Sequence, residues 1–146
     1  MAKEFSIEDG NLQNRPITTT INRTYSDIDC TFEANALTGI YKKTDANAVR
    51  QSVKNLLMTN HGEIPFRPYY GGNLNDLLFS LSTDLESSDV EDNVRYAIEK
   101  YEPRAKIQTL KSVIRPDYNS IDVTIVFEVI NTQKLVTLNV NIARTR

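Results

Sequence analysis

Tryptophan is absent from this chain, and cysteine and histidine occur once each. Cys30 has no second cysteine to join, so no intrachain disulfide can form. It lies in the alternating run Ile28-Asp29-Cys30-Thr31-Phe32 and is read as a strand residue, not a nucleophile. A metal centre needs several converging His, Cys or carboxylate ligands, and His61 has no such company at a suitable spacing. An imidazolium near a helix C-terminus accounts for it. No Gly-x-Ser-x-Gly elbow supports nucleophilic catalysis. Gly71-Gly72 is not followed by the Lys-Ser/Thr of a phosphate loop. No apolar run approaches a membrane span, and Met1 to Gln13 holds no hydrophobic signal core. A protein made or assembled in a reducing cytoplasm is expected. Neither charge sign dominates: 17 Lys and Arg face 19 Asp and Glu, for a net charge of -2. Nucleic-acid binding needs a clustered basic surface, and Arg144 and Arg146 at the end are read as solvated. No catalytic or metal residue, cofactor, nucleic-acid, membrane or small-molecule partner is expected.

What is present suits one ordinary domain. At 146 residues the chain can bury roughly two thirds of its unfolded surface. Residues 1–23 are polar, rich in Asn and Thr, and read as an arm, extended or disordered until it finds a partner; 24–146 forms the domain. Asp27 to Glu33 alternates as a short strand, Thr38-Gly39 is a turn, and Ile40 to Lys43 is a second short strand. Thr44 or Asp45 opens a helix with Ala46, Val49, Val53, Leu56 and Leu57 on one face, stopped at Asn60-His61-Gly62 with Gly62 left-handed. Asn73 caps a short helix carrying Leu74, Leu77, Leu78 and Leu81. Ser87 or Ser88 caps a third, with Val90, Val94, Ala97, Ile98 and Tyr101 as its stripe, and Pro103 ends it. The rest reads as an antiparallel meander with one wet face. In its first strand the apolar parity changes between Ile107 and Leu110, which predicts a bulge or twist. The fold class is α+β: about three helices packed on an antiparallel β-meander, preceded by the arm.

Two junctions stand out. Gly62 to Gly72 is a loop with two prolines, three aromatics and both signs of charge; Tyr101-Glu102-Pro103-Arg104 is the second. Stiff aromatic loops pack against something or present something. Glycoside hydrolysis would need two carboxyl groups flanking a bond. Glu63, Asp76 and Glu102 can be nominated, with Tyr69 and Tyr70 as sugar platforms, but any chain with 19 acidic residues offers such pairs.

The order of motifs carries a resemblance. It runs Tyr25-Ser26-Asp27-Ile28-Asp29, Thr38-Gly39, Asp45 with Ala48-Val49, Asn55-Leu56-Leu57 and Thr59. It continues through Gly62-Glu63-x-Pro65-Phe66-x-Pro68-x-x-Gly71, Leu77-Leu78-Phe79 and Glu102-Pro103-Arg104. This resembles the small baseplate wedge proteins of contractile-tailed bacteriophages, the tail-lysozyme-like family, which includes a type VI secretion baseplate subunit. The resemblance covers about residues 24 to 146. The family's loop usually carries a basic residue where Ile64 stands, so no ion pair is expected from that position.

The resemblance implies structural work in a virion tail baseplate, assembled in the host cytoplasm. Family members hold inner wedge proteins on one side and begin the sheath on the other. Glu102, Pro103 and Arg104 would dock onto a helical bundle of inner baseplate wedge proteins. Pro103 would fix the chain direction and Arg104 would offer a forked donor. Glu102 would orient Arg104 or bond the partner; the alternative is that the two simply pair inside the fold. Pro65, Phe66 and Pro68 would lock the loop and pack inward beside Gly71, leaving Glu63 and Arg67 to face a partner. The segment 121–144 would meet the first ring of tail sheath protein. Within it Val136, Thr137, Leu138, Asn139, Val140, Asn141 and Ile142 would pair by strand addition. The family's lysozyme name makes peptidoglycan cleavage the alternative function.

Overall fold

Strand alternation in the second half of the chain decides the architecture. The structure, a computed structural model, describes residues 24–35, 39–79 and 86–143. The arm over 1–23, Leu81, Arg144 and Arg146 lie outside the described residues. Strands β5 (Ala105–Arg115), β6 (Ser120–Val129) and β7 (Lys134–Ala143) form a three-stranded antiparallel sheet in the order β5-β6-β7. On β6, Ile121, Val123, Ile125, Phe127 and Val129 all point to one face and are buried. Their partners across β7 are Ile142 for Ile121, Val140 for Val123, Leu138 for Ile125 and Val136 for Phe127. A one-residue slip would turn this whole set to solvent, so burial pins the register.

The expected irregularity in β5 is a register shift between Ile107 and Thr109. Ala105 and Ile107 face Val129 and Phe127; beyond the shift Leu110, Ser112 and Ile114 face Ile125, Val123 and Ile121. The extra residue lets odd positions before it and even positions after it reach the same core.

Helices α1 (Asp45–Met58), α2 (Leu74–Phe79) and α3 (Ser87–Tyr101) lie on that apolar face. Val49, Val53, Leu56 and Leu57 of α1 are buried with Leu74 of α2 and Val90, Val94 and Ile98 of α3. Helix on sheet around one core is the α+β arrangement expected. Phe127, fully buried, is its largest side chain, and its truncation to alanine would cost about 3–5 kcal/mol. Ser112 is one of the buried polar residues. Its N–H donates to Glu91 Oε1 at 2.9 Å and its hydroxyl donates to the Ser87 carbonyl at 2.9 Å, which ties the start of α3 to β5.

Several local expectations are corrected. The strand over Asp27–Glu33 stops early: β1 is Ser26–Ile28. Asp29 Oδ1 accepts the Thr31 N–H at 3.0 Å, and Phe32 turns left-handed at φ +52, so Cys30 sits in a turn. The second strand is split. After β2 (Ala34–Asn35), β3 (Gly39–Ile40) pairs with β2 while β4 (Lys42–Thr44) pairs with β1. Thr44 precedes α1 but makes no capping bond through its side chain. That helix ends at Met58, where Thr59 returns to extended backbone and its hydroxyl donates to the Asn55 carbonyl at 2.7 Å. Gly62 is left-handed at φ +83 but lies beyond the helix stop, in the following loop. Neither Ser87 nor Ser88 caps α3. Glu86 does, in a reciprocal capping box with Asp89, one residue earlier.

Candidate docking site

At the exit of α3 the chain has to turn from helix to strand within three residues. Glu102 closes the helix, its N–H donating to the Ile98 carbonyl at 2.8 Å, and the Ala105 N–H then donates to the Glu102 carbonyl at 3.1 Å. Pro103, which cannot continue a helix, lies exposed on this bend. The Glu102 side chain goes inward and is only 4% exposed. Arg104 reaches back to it with both prongs of its fork, Nε to Oε1 at 2.5 Å and Nη2 to Oε2 at 2.7 Å. Ser52 of α1 donates its hydroxyl to the same carboxylate and accepts Arg104 Nη2 at 3.3 Å. Burial acts to raise the Glu102 carboxyl, but the bonds from Arg104 and Ser52 outweigh it and hold the group below the ordinary glutamate value. The same bond to Glu102 pushes the Arg104 guanidinium up. One face of the guanidinium covers the Tyr25 ring at 5.1 Å, and Tyr25 packs on the core edge. No described residue accepts from the Nη1 donors. Glu102 and Arg104 therefore pair inside the fold, and Glu102 positions Arg104 without itself reaching solvent.

Ser52 and Tyr25 were not singled out as part of this corner. Ser52 had a signal: it lies three residues after Val49 and four before Leu56, next to the buried stripe of α1. Its acceptor lies 50 residues further on, and no local pattern points to it.

The Gly62–Gly72 loop is held by its own backbone. The Gly62 N–H donates to the Pro68 carbonyl at 2.8 Å and Arg67 to Ile64 at 3.2 Å. Glu63 folds back, accepting the Asn60 N–H at 3.0 Å and its side-chain amide at 2.7 Å. Tyr101 of α3 donates its hydroxyl to the Tyr69 carbonyl at 2.7 Å, and its ring lies 5.0 Å from that of Tyr70. The inward packing expected of Pro65, Phe66 and Pro68 is corrected. All three are exposed, and Phe66 is fully so, because its backbone is left-handed at φ +65 and turns the ring outward. Arg67 is exposed as well. Gly71 is buried at φ +123, and a Cβ there would collide with the Thr59 carbonyl.

Each nominated carboxylate has a hydrogen-bond partner of its own in the fold. Glu63 bonds Asn60, Asp76 accepts from Asn73 at 2.8 Å, and Glu102 is held ionised. A general acid needs the opposite shift.

Strand β7 forms one edge of its sheet, with β6 on one side and no strand on the other among the described residues. Val136, Leu138, Val140 and Ile142 face the core; Thr137, Asn139 and Asn141 are exposed. No proline or charged residue lies between Lys134 and Arg144.

The comparisons with known proteins converge. The family model described as baseplate wedge protein gp25 matches residues 43–134, from within β4 to the first residue of β7. Over 109 residues the chain is 32% identical to baseplate wedge protein gp25 of Enterobacteria phage T4, spanning 75% of this chain and 80% of that protein. A crystal structure of a Geobacter sulfurreducens protein with a provisional tail-lysozyme name superposes with a TM-score of 0.58 at 22% identity, over 67% of this chain and 89% of that one. A chain in the baseplate of the anti-feeding prophage gives a TM-score of 0.57 at 22% identity, over 81% and 84%. At these identities the two structures speak to the fold.

Proposed function

Because the chain belongs to the baseplate wedge protein gp25 family, we propose that it is a structural subunit of a contractile-tail baseplate that docks on inner wedge proteins and starts the sheath by strand addition. Its place is then the tail of the virion, reached by assembly in the host cytoplasm. The docking corner is Glu102-Pro103-Arg104. Buried Glu102 fixes the guanidinium, exposed Pro103 sets the bend, and the Nη1 donors of Arg104, which no described residue accepts, meet a carboxylate or carbonyl on a helical bundle of the partner. Arg67 and the outward Phe66 on the braced loop supply neighbouring contacts.

One observation carries the sheath role: β7 is a ten-residue edge strand without internal charge or proline. Such an edge is a template for pairing, and backbone hydrogen bonds would hold the first ring of tail sheath protein. Turnover has no comparable support, since the one buried carboxylate among the described residues is kept ionised by Arg104.

The test uses two variants, Asn139→Pro and Val140→Pro. Along an antiparallel edge strand, N–H groups alternate between the paired and the free side. One of the two prolines therefore removes only a donor that no described strand uses, and that variant folds. Far-UV circular dichroism identifies it. Baseplates built with the folded variant are expected to form and to lack sheath; baseplates that carry full sheath would refute strand addition at β7.

A further inference from the structure

A groove of about 380 Å³ touches both Leu138 and Asn139 of β7. Leu138 faces the core and Asn139 faces away from it, so a cavity that meets both lies at the strand's edge. Strand β6 covers one edge, and the groove therefore runs along the other. Its opposite wall is α1, which contributes Arg50, Lys54 and Asn55, and the turn holding Cys30 lines it as well. Among the described residues no carboxylate side chain lines it. Lys43, at the rim, is already matched by Asp29 at 2.7 Å. Arg50 and Lys54, one helical turn apart, are exposed and make no ion pair among the described residues.

A strand added to β7 would lie about 4.8 Å beyond it, within this groove. Its side chains would alternate between the two faces of the sheet. Those on the helix-facing side would come to Arg50 and Lys54. An apolar side chain there would strip water from two cations and return nothing. A carboxylate would take charge-assisted bonds from both. We propose that the segment received by β7 carries an acidic side chain on its helix-facing side, selected by Arg50 and Lys54. This rests on the strand-addition reading and adds the chemistry of the partner segment.

The test uses the full chain and two nine-residue peptides of alternating threonine and valine. One carries a glutamate at the central position and its twin a glutamine. Binding is measured by fluorescence anisotropy, and the site by backbone amide shifts. The glutamate peptide is expected to bind about five-fold tighter at low salt, to perturb the amides of Leu138 and Asn139, and to lose its advantage at high salt. The variant Arg50→Gln/Lys54→Gln should bind both peptides equally, at the level of the glutamine twin. Equal binding by the unaltered protein would overturn the acidic selection and leave strand addition standing. Failure of both peptides to bind at millimolar concentration would overturn both. Displacement of the glutamate peptide by a short thymidine oligonucleotide would reassign the groove to phosphate.

Discussion

Replacing Arg104 with alanine separates an internal strut from a surface charge. In the intact protein the Glu102 carboxylate, 4% exposed, takes Arg104 Nε at 2.5 Å, Nη2 at 2.7 Å and the Ser52 hydroxyl. Without Arg104 it keeps only Ser52. Removing one partner of a fully buried pair costs about 3–5 kcal/mol. The Arg104 side chain is 37% exposed, so water partly replaces it, which lowers the expectation to about 2 kcal/mol. Loss of the contact with Tyr25 adds about 0.5 kcal/mol. The cost must depend on pH. Glu102 titrates below its ordinary value when paired. Its contribution is therefore complete above about pH 4.3 and is lost as the pH falls through the depressed folded value. In the variant, burial without Arg104 pushes the carboxyl up, and acid relieves the penalty. Urea unfolding followed by far-UV circular dichroism, at pH 7 and pH 4, reads both effects; the absence of tryptophan makes dichroism the natural probe. The loss should be about 2.5 kcal/mol at pH 7 and clearly smaller at pH 4. Adding Glu102→Gln to the variant should not destabilise it further at pH 7, since the stranded charge disappears. A loss below about 0.5 kcal/mol at pH 7, or one that does not change with pH, would refute the argument.

Gly71→Ala combines a left-handed backbone with a collision against the Thr59 carbonyl, and should lower stability by about 2–3 kcal/mol. Gly62→Ala meets open space and should lose only about 1 kcal/mol, so equal urea midpoints would contradict the geometry. Phe66→Ala should change stability by less than about 0.5 kcal/mol, because the ring is fully exposed, while weakening recovery of inner wedge proteins in a pull-down. Unchanged recovery would remove Phe66 from the docking surface.

Much of the core was legible because strand and helix periods are local. The alternation from Ile121 to Val129, the stripe from Val49 to Leu57 and the parity change at Ile107 each name a buried face from neighbouring residues alone. The failures fall where a polar group competes for the backbone. Asp29 captures the Thr31 N–H and ends a strand whose alternation ran on to Glu33. Asp89 reaches the Glu86 N–H and begins α3 ahead of both candidate serines. Phe66 was expected inside as part of a brace beside the Glu-Pro-Arg junction, but its backbone is left-handed and its ring is fully exposed.

The candidate sites divide along the same line. Composition and motif order alone determined the fold class, the family resemblance and the stiffness of the Glu-Pro-Arg corner, because prolines and apolar periods act on their own neighbours. Only the tertiary structure decided that Ser52, 50 residues from Glu102, completes that corner. It also decided that β7 is an edge strand and that Arg50 and Lys54 stand beside it. Those are contacts between segments far apart in the chain, and they exist only once the helices close on the sheet.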